Sequence, residues 1–191
     1  MPFRNSNVTN LANKQKGTFT IELVMVLILF SFVVVFTMDI VSKQAVAGKL
    51  DRLAYSTVSL IKERTQLFDG EDEISTAEAA TFLRLVSESL EATMESFDTS
   101  RLGVFIEQQR FNSEQQPISS SSGNGTFDLG GYNCEPATRL SQKLELAPVT
   151  NFGNRLTLYQ VTICYRTDNM FGELMGETWE LARSTAVSVA R

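Results

Sequence analysis

The sequence predicts an α+β fold: a long N-terminal helix, a second helix and an antiparallel sheet of about three or four strands. Three observations predict it. An apolar stretch of membrane length near the N-terminus passes into an amphipathic helical pattern, and a capping box opens a second helical pattern at Ser75. Segments rich in β-forming residues, separated by turn residues, fill the C-terminal half.

The apolar stretch covers residues 18–38, and its 21 residues contain a single charge, on Glu22. At roughly 1.5 Å per residue, a helix of this length crosses the ~30 Å hydrocarbon core of a bilayer. Three basic residues precede the stretch and no acidic residue does; they are Arg4, Lys14 and Lys16. By the positive-inside rule, the N-terminus is cytoplasmic and everything after the span lies outside.

Glu22 is unusual in such a span, because inserting an ionised carboxylate into the membrane costs about 2 to 3 kcal/mol. A cut after Gly17 would create an α-amino group on Thr18, one helical turn from Glu22. The same amine on a neighbouring subunit would meet the carboxylate in an assembly. The position of Glu22 therefore predicts a role in contacts between subunits.

The residues from Lys16 through Gly17 to Thr18-Phe19-Thr20-Ile21-Glu22 resemble the class III signal of type IV pilins. In that signal a prepilin peptidase cuts after the glycine, and the glutamate becomes residue five of the mature chain. The 17-residue leader, the Ile21-Glu22-Leu23 sequence and the non-repetitive domain after the helix are most similar to tight-adherence (Tad, Flp) minor pilins or pseudopilins, TadF and TadE.

The resemblance implies a cleaved leader (1–17), a transmembrane half of the N-terminal helix (18–41) and an exported pilin-like domain (42–191). It implies processing between Gly17 and Thr18, and a structural role in pilus assembly or initiation and in surface adherence. The implied partners are a prepilin peptidase, other pilin or pseudopilin subunits, the inner-membrane assembly platform and the membrane. The implied location is the bacterial inner membrane, with a periplasmic C-terminal domain, and the extracellular pilus after assembly.

Several alternatives remain open at this point. A minor pseudopilin of a type II secretion system shares the same signal, and a signal-anchored sensor would bind a ligand on its sheet or on loop 112–126. In the latter case Glu22 is an interfacial acid without a partner. A secretory cleavage site at Ala45-Val46-Ala47, ahead of Gly48, would instead release a soluble domain.

Composition argues against several classes of function. The net charge of the 191 residues is −5, and removing residues 1–17 leaves 14 basic and 22 acidic residues, or −8, which disfavours nucleic-acid binding. The chain has no histidine, the commonest general base and metal ligand. We therefore expect no enzyme activity, no catalytic residues, no metal site and no cofactor.

The two cysteines, Cys134 and Cys164, both fall on the side of the membrane that the charge rule assigns as external. Disulfides form in such compartments, so we predict a bond between them. Free thiols would require the reverse topology. A zinc site is not expected, because structural zinc usually takes four cysteine or histidine ligands.

The helical elements are predicted from apolar spacing. The first helix is expected to continue past the membrane as an amphipathic helix and to end near Asp69-Gly70, with Gly48 either tolerated or the site of a kink. The capping box Ser75-Thr76-Ala77-Glu78 predicts a second helix over 76–97.

The strands are predicted from β-formers and alternation. Strands are expected over 102–110, 138–146, 155–166 and 177–189, with a polar loop over 112–126. In the strand 155–166, the apolar residues change parity between Leu158 and Val161, which predicts a β-bulge.

Overall fold

The computed structural model describes residues 8–63, 73–120, 125–168 and 180–190, with side chains from Phe19 onward. Helix α1 runs over Val8–Lys62, and its 55 residues span roughly 80 Å. The helical backbone passes through residues 17, 18 and 48 without a break, so it begins within the predicted leader and shows no kink at Gly48. The predicted end at Asp69-Gly70 lies outside the described residues.

Helix α2 covers Thr76–Thr93 and begins at the predicted capping box. The Ser75 hydroxyl accepts a hydrogen bond from the Glu78 backbone N–H at 3.3 Å, and the Glu78 carboxylate accepts one from the Ser75 backbone N–H at 2.8 Å. The helix ends earlier than the predicted residue 97, since Met94 adopts an extended backbone. A short 3₁₀ turn, Thr99–Arg101, leads from there into the sheet.

The sheet contains five antiparallel strands in the described chain: β1 (Leu102–Phe111), β2 (Pro117–Ile118), β3 (Thr126–Gly130), β4 (Leu158–Arg166) and β5 (Leu181–Val189). Strand β1 pairs with β4 on one side and with β2 and β3 on the other, and β5 pairs with β4. The predicted α+β class is confirmed. The sequence analysis missed β3, and the part of the last predicted strand before residue 180 lies outside the described residues.

One face of the sheet packs against both helices. On β4 this face carries Tyr159, Val161, Ile163 and Tyr165, all at most 2% exposed. The helices contribute buried residues at helical spacing to the same core; from α1 these are Leu50, Ala54, Val58 and Ile61, and from α2 Ala79, Val86 and Leu90. This core fixes the second half of α1 on the sheet.

The opposite face of the sheet is covered by the segment between β3 and β4. Leu140 and Ala147 of that segment pack on Leu158. The predicted strand over 138–146 is wrong, because its leucines belong to two 3₁₀ turns, Leu140–Gln142 and Leu144–Leu146. A 3₁₀ turn lets Leu140 point into the sheet while its backbone N–H reaches a buried carboxylate, that of Glu107, at 3.2 Å.

The predicted bulge in β4 is also wrong. Residues 158–161 pair in unbroken register with both β1 and β5. The change of parity has another cause: Leu158 faces the covering segment, Val161 faces the helices, and both are fully buried. Because both faces of β4 are buried and each carries apolar residues, the apolar positions of the strand do not keep to one parity.

The sheet and the second half of α1 give the domain a proximal and a distal end. At the proximal end, Thr167 and Leu181 lie beside Lys43 and Ala47 of α1. Strands β4 and β5 extend away from there for nine residues each, roughly 30 Å. At the distal end, the side chain of Gln115 donates a hydrogen bond to the backbone carbonyl of Gly153, which joins turns 112–116 and 150–154.

Candidate assembly surface

The first described side chains of α1 form an apolar surface that nothing in the described chain covers. Residues 19–38 are exposed except for Val34, which is partly exposed. Helix α1 is also the one helix in the described residues that is long and apolar enough to cross a membrane. Exposed apolar area on this scale marks a surface that a membrane or another protein covers.

Two hydroxyl groups in this apolar surface, those of Ser31 and Thr37, are bonded within the helix. Ser31 donates to the carbonyl oxygen of Ile28 at 2.7 Å, and Thr37 donates to that of Val33 at 2.7 Å. Such bonds satisfy polar groups without water, which is the condition for a helix in hydrocarbon. These residues therefore fit a membrane span.

Glu22 lies near the start of this surface, and its side chain is exposed. Among the described residues it has no hydrogen bond and no ion pair. Residue 18 precedes it by four positions on the same helix, about 6 Å along the axis. The predicted processing site, Gly17 and Thr18, lies in helical backbone, so a peptidase would have to unwind this turn to cut it.

Asp39 marks the point where the apolar surface meets the domain. Between Glu22 and Asp39, 16 residues carry no charge, and they cover roughly 24 Å of helix. The Asp39 carboxylate is 9% exposed and accepts a hydrogen bond from the Lys43 ammonium at 2.7 Å. This ion pair satisfies the buried acid, in contrast to Glu22.

The predicted disulfide joins Cys134 to Cys164, with the two Cα atoms 5.6 Å apart. Both residues are fully buried and pack beside Phe105 and Tyr132. A side chain at Gly103 would approach the carbonyl oxygen of Tyr132 to 2.1 Å, so this close contact requires glycine. The bond ties the segment between β3 and β4 to the centre of the sheet.

Glu107 on β1 is a buried residue that the sequence analysis did not single out. Its carboxylate is 5% exposed and accepts hydrogen bonds from Leu140 N at 3.2 Å and Gln160 Nε2 at 2.7 Å. Burial raises the pKa of Glu107, while these hydrogen bonds and the nearby Arg139 and Lys143 oppose the rise. In the sequence, the one feature that could have indicated a buried acid here is that Glu107 follows a run of β-forming residues.

Gln160 extends this network. Its amide group donates to the carbonyl oxygen of Thr138 at 3.0 Å and accepts from the Lys143 ammonium at 2.9 Å. The Arg139 guanidinium lies 4.5 Å from the centre of the Phe105 ring. Because each polar group has a partner, the network fastens the covering segment to the sheet without leaving a buried group unsatisfied. Among the described residues, no three histidine, cysteine or acidic side chains cluster as metal ligands would.

A comparison with protein families finds one family that matches both the apolar helix and the folded domain. The family model "TadF: Putative tight adherence pilin protein F" matches residues 10–191, almost the whole chain. No curated protein and no solved structure matches the chain.

Proposed function

Because the chain belongs to the TadF family of tight adherence pilin proteins, we propose that it is a minor pilin or pseudopilin of a Flp-type type IV pilus system. In this role it is a structural subunit that acts in pilus assembly or initiation and in surface adherence, and it performs no catalysis. The observation that carries the proposal is the apolar half of α1, which projects from a folded domain with its side chains uncovered.

The proposal places the apolar half of α1 in the inner membrane, with the N-terminus in the cytoplasm and the domain in the periplasm. Support comes from the basic residues before the span and from the intrahelical bonds of Ser31 and Thr37. It also fits the disulfide, which is stable in an oxidising compartment. After assembly the subunit would stand in the extracellular pilus.

In this proposal a prepilin peptidase removes residues 1–17, and the new amine on Thr18 pairs with Glu22 of a neighbouring subunit. Glu22 has no partner among the described residues, so its carboxylate is available for such a contact. In a medium that excludes water, the pair is worth more than the ~0 to 1 kcal/mol of an exposed ion pair. Glu22 would then fix the axial register between subunits.

Processing is tested with Gly17→Val, which places a branched side chain at the cut. We expect a precursor longer by the 17 leader residues in intact-mass analysis. Gly17→Ala is the matched control and should still be cut, because alanine is small and unbranched. Normal maturation of Gly17→Val would contradict the class III assignment.

The role of Glu22 is tested with Glu22→Gln, which keeps the shape of the side chain and removes its charge. The variant should insert, be cut after Gly17 and form its disulfide, yet fail to co-purify with other pilin subunits. Glu22→Asp keeps the charge and should retain part of the co-purification. If Glu22→Gln assembles at the wild-type level, the pairing with Thr18 is wrong.

A further inference from the structure

The proximal end of the domain carries a cleft of about 360 Å³ between α1 and the segment after α2. Its volume lies within the range of ~300 to 1,000 Å³ that is usual for small-molecule sites. Its walls combine charged side chains of both signs with apolar ones, which come from Ala45, Val46, Met94 and Tyr165. A ligand that is partly apolar and partly charged fits such a lining.

The wall of the cleft opposite α1 is fixed to the sheet by Tyr165, a buried residue of β4. The Tyr165 hydroxyl accepts a hydrogen bond from the Asp98 backbone N–H at 3.1 Å and donates one to the Ser96 carbonyl at 3.4 Å. Its ring stacks on that of Phe97, with 5.8 Å between the two centres. Because this wall is already ordered, a ligand would bind without the cost of ordering it.

Six charged side chains line the cleft, three basic and three acidic, and two of them form no ion pair in the described chain. The other four form two ion pairs, Asp39 with Lys43 and Arg101 with Asp168. The remaining two are Lys49 and Glu95, which do not pair with each other either. The Lys49 ammonium donates one hydrogen bond, to the Thr93 carbonyl at 2.6 Å, although it carries three N–H groups. The cleft therefore offers one cation and one anion to a ligand.

The cleft begins where the apolar surface of α1 ends, and here the inference rests on the proposed function, which places that surface in the membrane. On α1 the lining extends from Asp39, the first charged residue after the span, to Lys49, ten residues or roughly 15 Å further along the axis. The headgroup layer extends roughly 5 to 8 Å beyond the hydrocarbon core. Helical side chains tilt toward the N-terminus of their helix, and a long lysine side chain can thus reach headgroups from above. The cleft therefore stands at the level of the headgroups and just above them.

We propose that the cleft binds the headgroup of a zwitterionic phospholipid that carries a primary ammonium. The lipid phosphate accepts hydrogen bonds from Lys49, and the lipid ammonium donates to Glu95. The glycerol and the first methylene groups lie against Ala45 and Val46, from which the acyl chains continue along the apolar surface of residues 19–38. A headgroup without net charge also suits a lining whose three basic and three acidic side chains sum to zero.

Other ligands match the two available charges less well. An anionic phospholipid such as phosphatidylglycerol has a phosphate for Lys49 but brings no cation to Glu95, so the carboxylate stays unpaired beside a second anion. A quaternary ammonium has no N–H with which to bond the carboxylate. A soluble phosphorylated amine has both charges but leaves the apolar wall uncovered. The lining thus favours the phospholipid with a primary ammonium over each of these.

The test measures lipid retention by native mass spectrometry of the full-length protein. The protein is released from detergent micelles that contain phosphatidylethanolamine and phosphatidylglycerol in equal amounts. We expect one phosphatidylethanolamine retained per chain, about tenfold in preference to phosphatidylglycerol, because only the former bonds Glu95 through a charged donor. Equal retention of the two lipids, or retention of neither, would overturn the inference.

Variants of the two unpaired side chains separate their roles. Glu95→Gln should lower the retention of phosphatidylethanolamine about tenfold and leave that of phosphatidylglycerol unchanged, since only the ammonium loses its partner. Lys49→Gln should lower the retention of both lipids, whereas Lys49→Arg keeps the cation and should retain phosphatidylethanolamine. Glu91→Gln, an exposed acid of α2 outside the cleft, is the matched control and should behave as the wild type. Wild-type retention in Glu95→Gln or Lys49→Gln would show that the lipid binds elsewhere.

The remaining outcomes identify the source of the headgroup and separate this inference from the proposed function. If free phosphoethanolamine at the same concentration displaces the lipid, the ligand is a soluble phosphorylated amine and the lipid assignment is wrong. If the chain matures and co-purifies with pilin subunits but retains the two lipids equally, the headgroup site is wrong and the pilin role stands. If the chain is absent from the membrane fraction of cells, both are overturned.

Discussion

The two halves of α1 belong to one uninterrupted helix but meet different surroundings. Residues 19–38 are apolar on all sides and almost all exposed. From Leu50 onward, buried residues recur every three or four positions and pack on the sheet, while Asp51, Arg52 and Ser56 face outward. The distribution of apolar residues around the helix, more than their number, indicates which solvent each half requires.

The charged side chains of the two halves of α1 also differ in whether they have a partner. The only charge between residues 19 and 38, that of Glu22, has no partner in the described chain, whereas Lys49 in the second half donates to the Thr93 carbonyl at 2.6 Å. A group satisfied within its own domain contributes to folding. Under the proposed function, the unsatisfied carboxylate of Glu22 is the group that contacts another subunit.

The largest effect that we expect is a difference in the free energy of unfolding between one substitution in each half of α1. Leu50→Ala removes a fully buried side chain from the core and should lower the free energy of unfolding by about 3 to 5 kcal/mol. Leu29→Ala changes a side chain that is 68% exposed and should leave domain stability unchanged. Urea denaturation of the full chain in detergent micelles measures both. Equal losses would show that the apolar half also packs on the domain.

The disulfide should make the next largest contribution to the stability of the domain on which the second half of α1 packs. Replacing both Cys134 and Cys164 by alanine removes a loop constraint of about 31 residues, for which the chain-entropy model gives roughly 3 to 4 kcal/mol. The same denaturation experiment measures the loss. Membrane insertion of the apolar half should not change, and unaltered stability of the double variant would contradict this role.

A smaller effect depends on pH. Burial holds the pKa of Glu107 above its ordinary value of 4.5, so the folded state binds the proton more tightly than the unfolded chain. This contribution is fully present below about pH 4.5 and is lost as pH rises through the folded-state pKa. The stability of the wild type should therefore fall more steeply above pH 4.5 than that of Glu107→Gln. Parallel pH profiles would show that Glu107 titrates normally.

Elements defined by local sequence were predicted well. The membrane-length stretch, the capping box of α2 and strands β1 and β4 follow from apolar pattern and capping residues, which act over a few positions. Strand β3 was missed because it has only five residues, Thr126–Gly130, next to a polar loop. The strand expected over 138–146 failed because tertiary contacts of Leu140 outweigh the local pattern.

The candidate site shows the same limit. Glu22 was singled out because an acid inside an apolar stretch is rare, which is visible in sequence alone, and its role stays a prediction. Glu107 was not found because its partners, Leu140 and Gln160, lie 33 and 53 residues away.

The smallest expected effect concerns Gly48, where the two halves of α1 meet. Glycine within a helix is less favourable than alanine by about 0.5 to 1 kcal/mol, and a β-carbon at this position would have no atom within 4 Å apart from its chain neighbours and the nearby backbone of α1. Gly48→Ala should therefore raise the free energy of unfolding by up to that amount. If α1 acts as one straight rod, the variant should also co-purify with pilin subunits at the wild-type level. A variant that is more stable but assembles poorly would show instead that the helix must bend at Gly48 when the subunit leaves the membrane, and that the apolar and buried halves move relative to each other.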